Sequence, residues 1–312
     1  MNPLKRLIRP RLPHTAVGLE SGSATVVSLD RRRSSFTLHR AAHVKLPPAL
    51  VRPSFDEPNI SDTKELGHAL AELAASAGLA RRRRWSVALP EAAARASIIL
   101  LETEPASRNE LAEMIDWKIE RSLGVPSAEL RASRMRLAPD ERGRSRYLVT
   151  GIRLSVLEEY EATFSALGWH TGLILPRHLG EARWLMNGPG DALLVSSHAA
   201  GFTAVFLRDG QPLMTRGVVC DEEDRPDELH RLVLYYHDRM LTVNPESNRT
   251  IERLLVLGEG FDAGAVSSIV SDTLETEPRT ITAQDVGLSL PSPDLSFQII
   301  AAPAGLAALA WD

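Results

Sequence analysis

Residues 16–30 read AVGLESGSATVVSLD, and residues 192–210, ALLVSSHAAGFTAVFLRDG, are a distorted echo of them. Each segment reads as a buried strand, a turn of small and polar residues, and a second strand that ends in charge. A glycine-containing turn between two strands directs backbone N–H groups at a ligand oxygen, which is how phosphate is cradled. Two such hairpins predict two related lobes facing one cleft. The first keeps an acidic residue and a glycine, Glu20 and Gly22, while the second has a turn of Ser196, Ser197 and His198 at the corresponding place. The pattern is a nucleotide-binding architecture whose chemistry is partly erased.

Composition narrows the setting. A chain of 312 residues can bury a sizeable core, as one large or two medium domains. Its net charge of -4 gives no global electrostatic case for nucleic acid, and none is expected as a partner. Cys220 is the only cysteine, so no disulfide framework exists and a reducing compartment is expected. No apolar run approaches the ~18–20 residues that span a bilayer. The opening MNPLKRLIRPRLP is basic but lacks the apolar stretch and cleavage site of a signal peptide. It reads as a basic arm, a solvated tail with at most a weak attraction to an anionic leaflet. The expected location is cytoplasmic.

Along the chain, strands are expected at 35–43 and 85–90, with a helix between them opened by Asp62 and stopped by Gly78. Arg81, Arg82, Arg83 and Arg84 follow that helix and read as its solvated end. Residues 91–169 then form a small α+β unit, with strands at 97–101, 130–137 and 146–152 and helices at 107–123 and 155–167. After the echo hairpin come a strand at 213–219, an acidic loop at 221–224, a helix at 227–240 and a buried strand at 251–258. That strand runs into Gly258, Glu259 and Gly260. A helix at 264–274, a strand at 297–301 and a small-residue helix at 304–310 complete the order. The expected division is a basic arm at 1–15 and a first lobe at 16–90, completed by 170–190 and a C-terminal helix at 300–312. The inserted unit takes 91–169 and a shortened second lobe takes 191–299.

This order is similar to the α/β architecture of actin, hexokinase and the heat-shock-70 ATPases. More closely, it resembles the PilM family of type IV pilus assembly proteins, relatives of the cell-division protein FtsA. Gly18, Leu19, Glu20, Ser21, Gly22 and Ser23 match the family's first phosphate loop, and Gly258, Glu259 and Gly260 its Gly-Gly-Gly turn. Residues 87–90 and 109–126 fit the inserted subdomain. The resemblance implies a two-lobed fold with an inserted α+β subdomain and a vestigial nucleotide cleft at Glu20, Ser21, Gly22, Ser23, Thr25, Gly258 and Gly260. Glu20 is open to two readings, a residual metal-side carboxylate or a turn residue.

The departures all point one way. Val27 stands where a lysine or similar group usually follows the first loop. Ser196, Ser197 and His198 replace the Asp-Ile-Gly of the second loop, which removes a carboxylate that would hold Mg²⁺. Glu259 places charge of a nucleotide's own sign in the third turn, and a single helix replaces the subdomain that normally walls the base. No catalytic residue and no metal set is assigned, and His198, His230 and His237 lack a placed carboxylate partner. ATP and Mg²⁺, the cofactors the resemblance implies, are expected to bind weakly or not at all. It further implies a non-catalytic cytoplasmic scaffold, recruited to the inner-membrane face by the N-terminal tail of a single-pass, PilN-like partner. Association with a cytoplasmic assembly ATPase complex is a further implication. An active ATPase or kinase of the same fold and a cytoplasmic type II secretion component are the alternatives.

Overall fold

The computed structural model describes residues 12–33, 35–243, 250–290 and 295–312. Most of the basic arm, residues 1–11, lies outside them. The first lobe opens with an antiparallel meander, β1 (Thr15–Leu19), β2 (Ser23–Arg32) and β3 (Ser35–Lys45). Helix α1 (Thr63–Ser76) follows, and the Asp62 carboxylate accepts from the N–H groups of Lys64 and Glu65 at its start. Its buried stripe of Leu66, Leu70 and Leu73 covers the sheet before β4 (Arg84–Leu89) enters parallel to β1.

Next come β5 (Arg95–Leu100), α2 (Arg108–Leu123), β6 (Leu130–Leu137) and β7 (Arg146–Arg153), a three-stranded sheet in the order β5-β7-β6 with one helix on it. Helix α2 is capped by Ser107, stops at left-handed Gly124, and buries Ile115, Ile119 and Leu123. Trp117, whose environment the sequence leaves open, is 55% exposed on the opposite face. Helix α3 (Leu154–Ala166) behaves differently from the rest of the expected 91–169 unit. Its Val156, Leu157, Tyr160 and Phe164 pack in one cluster with Val17, Leu66 and Val87 of the first lobe. Trp169 just beyond it stacks on Trp85 of β4, with ring centroids 4.3 Å apart. We therefore place the end of the inserted unit at Arg153 and assign α3 to the first lobe.

Strand β8 (His170–Pro176) completes the first sheet alongside β4, and α4 (Arg177–Ala182) leads into the second lobe. There β9 (Asp191–His198), β10 (Gly201–Arg208) and β11 (Gln211–Val219) repeat the meander. They are followed by α5 (Arg225–Val243), β12 (Ile251–Leu257), α6 (Ala263–Leu274) and β13 (Arg279–Thr280). The second sheet, β11-β10-β9-β12-β13, reproduces the order and directions of β3-β2-β1-β4-β8 in the first. The predicted duplication is therefore one of whole lobes. One short strand is not where the chain order puts it. β14 (Leu288–Ser289), inside the expected second-lobe span, pairs with β3 of the first sheet.

The last helix, α7 (Phe297–Ala308), is continuous across residues expected to form a strand and a separate helix. Pro303 lies inside this helix although proline lacks an N–H and crowds the preceding turn. It is tolerated because its ring lies against Gly18 on β1, where an added Cβ would come within 3.1 Å. Helices α4 and α7 lie between the lobes. One core cluster joins Ala16, Val27 and Leu29 of the first sheet, Leu194, Val205 and Leu255 of the second, and Ile300, Ala304 and Leu306 of α7.

The two helices touch through glycine. A Cβ on Gly305 would stand 1.8 Å from the Gly180 carbonyl oxygen, and one on Gly180 would stand 2.3 Å from that of Ala302. Gly22, by contrast, has open space around it. Gly305→Ala is expected to destabilise by about 3 kcal/mol or more, and Gly22→Ala by less than about 0.5 kcal/mol. Urea denaturation of the two variants checks this; equal midpoints would show that the helix crossing is not tightly constrained.

Candidate functional site in the interlobe cleft

The ends of the two meanders face each other across a cleft of about 830 Å³. All seven residues singled out from the sequence, Glu20, Ser21, Gly22, Ser23, Thr25, Gly258 and Gly260, line it. Each is placed by strand geometry. Residues 20–22 turn from β1 into β2, with the Glu20 N–H donating to the Ser23 carbonyl. Gly258 and Gly260 follow β12 at φ of 87° and 92°. Gly258 also allows close approach, since a Cβ there would meet the Ser197 carbonyl oxygen at 2.1 Å. In one respect the second hairpin differs from expectation. Ser196, Ser197 and His198 are not a turn but the end of β9, paired with β10 as far as His198 opposite Gly201. The turn is displaced to Ala199 and Ala200.

The groups that fill this cleft were not found in the sequence. Arg177, the first residue of α4, donates through Nη1 to Glu20 and through Nε and Nη2 to Oε1 of the wholly buried Glu181. Burial opposes charge on this guanidinium, but Glu181 and Glu20 more than compensate and hold it firmly protonated. One guanidinium thus serves two carboxylates. Burial pushes the Glu20 carboxyl up to about 7; Arg177 pulls the other way, and Glu181 and Glu91 add to the rise. The Glu20 side chain, about one-third exposed at the cleft, is engaged by the Arg177 guanidinium.

A second arginine closes the other side. Arg225, the first residue of α5, is buried and donates to Ser197 Oγ at 2.8 Å, to the Glu259 carbonyl at 3.0 Å and to the His198 carbonyl at 2.9 Å. Ser197 Oγ also donates to the Glu259 carbonyl. The Arg225 guanidinium fills the space beside Gly260 that a Cβ would need. Below it, burial lowers the His198 pKa against the pull of Glu91.

These residues do not fit a Mg²⁺–nucleotide. The carboxylate of the first turn already holds an arginine, and the second hairpin offers a hydroxyl committed to a carbonyl. The third turn is occupied by Arg225 and carries the exposed Glu259. Among the described residues, no group of three or more His, Cys, Asp or Glu side chains is placed to hold a metal ion. The sequence signal that could have revealed Arg177 was the Arg-His-Leu-Gly-Glu spacing, an i,i+4 ion pair in an apolar setting.

The third charged element ties the parts together. Glu91, just past β4, lies 2.6 Å from His178 Nδ1 on α4 and accepts from Thr203 Oγ1 of β10 at 2.8 Å. It therefore joins the first lobe, the connecting helix and the second lobe. Burial works against its charge, yet the imidazole of His178 beside it and the bond from Thr203 hold its carboxyl at about 2. An unfolded carboxyl titrates near 4.5, so this contribution is complete above that value and is lost as pH falls toward 2. Glu91→Gln is expected to cost about 3 kcal/mol at neutral pH. The gap between variant and wild type should shrink as pH falls from 4.5 toward 2, read from denaturation midpoints across that range. A pH-independent gap would show that the carboxylate charge does not hold the lobes.

No protein-family model matches this chain, and no curated protein matches it. Among solved structures it is similar to one described as the PilM-PilN type IV pilus biogenesis complex. That match has a TM-score of 0.72 and 18% sequence identity, over 97% of this chain and 100% of that one. More remote similarities are to the cytoplasmic domain of EpsL, described as an inner membrane component of the type II secretion system of Vibrio cholerae, and to a Bacteroides thetaiotaomicron protein described as having an actin-like ATPase fold and unknown function. Both have a TM-score of 0.48 and 12% identity; the first covers 96% of this chain and 95% of that one, the second 90% and 94%. The fold that the family resemblance implies is the fold observed: an actin-like, two-lobed α/β body similar to PilM, with an inserted α+β unit and a second lobe shortened between β11 and β12.

Proposed function

We propose that this chain is a non-catalytic, PilM-like scaffold that receives the N-terminal cytoplasmic tail of a single-pass membrane protein of the PilN kind. The observation that carries this reading is a groove between the first lobe and the inserted unit. It has a volume of about 280 Å³, and Leu89, Ile152, Leu157, Leu173 and Leu175 give it an apolar lining. Two sheet edges flank it: β8 ends the first sheet and β6 ends the inserted one. Unpaired edge backbone above an apolar floor suits an extended or short helical segment, with backbone hydrogen bonds setting direction and apolar anchors supplying affinity. Arg131 and Glu161 at the lining add polar groups that fix register. The full-length similarity to PilM solved with PilN supports the choice of occupant. Such a scaffold works at the membrane face through its partner, since no described helix is long and apolar enough to cross a membrane.

Two measurements test this reading. A synthetic tail peptide is expected to bind with micromolar affinity, about -8 kcal/mol, by calorimetry. Ala132→Trp, which fills the groove from the exposed strand β6, should abolish binding without lowering the thermal midpoint. Undiminished binding by that variant would move the tail site elsewhere. For the cleft, millimolar Mg-ATP is expected to stabilise the protein by less than ~0.4 kcal/mol, a shift of about 1 °C. A large shift at micromolar Mg-ATP, lost in Glu20→Ala, would instead favour an active ATPase.

A further inference from the structure

The end of the first sheet opposite the cleft collects arginines from separate parts of the sequence. The hairpin between β2 and β3 brings Arg31, Arg32 and Arg33, and the loop after α1 brings Arg81, Arg82 and Arg83. Arg40 of β3 reaches the same place. All seven are exposed. They converge because β1 and β4 both start at this end, β2 finishes there and α1 terminates above it.

Some of these side chains have structural work. Arg40 donates to the Gly78 carbonyl and Arg83 to that of Leu167, each at the C-terminal end of a helix, where a cation is favoured. Arg31 donates to the carbonyls of Arg33 and Trp311. The guanidinium groups of Arg32, Arg33, Arg81 and Arg82 make no ion pair or hydrogen bond among the described residues. Nearby acids are already engaged: Asp30 lies 3.9 Å from His39, and Asp312 is held by Arg183. A solvated helix end explains one arginine run but not a second run folded beside it, in a chain whose net charge is -4.

We propose that this end of the first lobe docks on an anionic bilayer surface through the phosphates of its lipid head groups. Three observations favour lipid over nucleic acid. The arginines sit on the end of a sheet, and the aromatic rings beside Arg31, Phe36 and Trp311, pack edge to face on each other rather than forming a platform on which bases stack. The sequence that precedes β1, MNPLKRLIRPR at residues 1–11, combines basic and aliphatic residues, a composition suited to a lipid interface. The groove along β8 also begins at this end, where Thr171 and Gly172 line it beside His170, which is paired with Arg84. A chain leaving the bilayer would meet the groove directly. Docking of the arginines on a bilayer is independent of whether the groove takes a tail.

The test is co-sedimentation of the full chain with vesicles of phosphatidylcholine alone, or with about one third phosphatidylglycerol. Binding is expected only to the anionic vesicles, and to weaken steeply as salt rises. Each arginine near such a surface contributes roughly a fivefold factor, so combined Arg32→Glu, Arg33→Glu, Arg81→Glu and Arg82→Glu should lower partitioning more than about a hundredfold. An unchanged thermal midpoint and unchanged tail-peptide binding would show that the variant is folded. The proposal is overturned by no binding to anionic vesicles, by equal binding to neutral ones, or by full binding of the fourfold variant. It is also overturned if removing residues 2–11 alone abolishes binding, or if the same arginines prefer duplex DNA. Vesicle binding without tail binding would leave this inference standing and remove the groove reading.

Discussion

The contact between Gly180 and Gly305 sets the position of nearly everything else. Two helices lie between two sheets, and their backbones approach so closely that neither glycine has room for a Cβ. Side chains of ordinary size would force α4 and α7 apart and open the shared core that spans Val27 and Leu255. Small residues on α7 make the approach general rather than local. Further restraints hold the crossing in register: Trp184 donates its indole N–H to the Ala301 carbonyl, and Arg183 pairs with Asp312 at the chain end. Pro303 on the same helix rests against Gly18, so the place where β1 delivers Glu20 is fixed by the same contact.

From that crossing α4 points Arg177, His178 and Glu181 toward the cleft. Burying charged groups is costly unless each is paired and hydrogen-bonded, so such a set is stable only as a set. Arg177 joins Glu20 to Glu181, and Glu91 joins His178 to Thr203 across the lobes. The inserted unit adds its own contacts to the second lobe. Arg146 donates to the Pro212 and Leu213 carbonyls of the edge strand β11, and Arg208 reaches Glu141. Arg146 thus also protects an edge that would otherwise present unpaired carbonyls. The lobes are held by groups the chain carries itself, in the cleft that the two meanders face.

The polar groups of the cleft and the apolar groove lie on different sides of the same connection. β8 supplies one wall of the groove and, immediately after Pro176, the arginine of the cleft. A peptide against β8 would therefore bear on the strand that positions Arg177. The inserted unit meets both sides: β6 and β7 line the groove, while Ile98, Leu137 and Leu148 pack with Leu179 of α4 and Arg146 reaches β11.

Much of the architecture is local and therefore legible in the sequence. Alternating small and apolar residues around Glu20 to Gly22 specify a hairpin, Asp62 and Gly78 bracket a helix, and Ser107 and Gly124 bracket another, because caps and turns act over a few residues. The repeat of one hairpin in the other pointed to two lobes and a cleft, and the seven residues from the first hairpin and from the Gly258-Glu259-Gly260 turn line that cleft. What tertiary structure alone decided are long-range choices. Gly18 leaves room for the Pro303 ring, α3 joined the first lobe because its apolar face met Trp169 and Leu66, and β14 crossed to β3. Arg177 and Arg225 look like ordinary helix-start residues in the sequence. Their roles arise when folding removes water from them beside Glu20, Glu181 and the carbonyls of His198 and Glu259, partners separated from them by up to 157 positions. Desolvation and pairing of charge depend on which distant segments meet, and no local pattern encodes that.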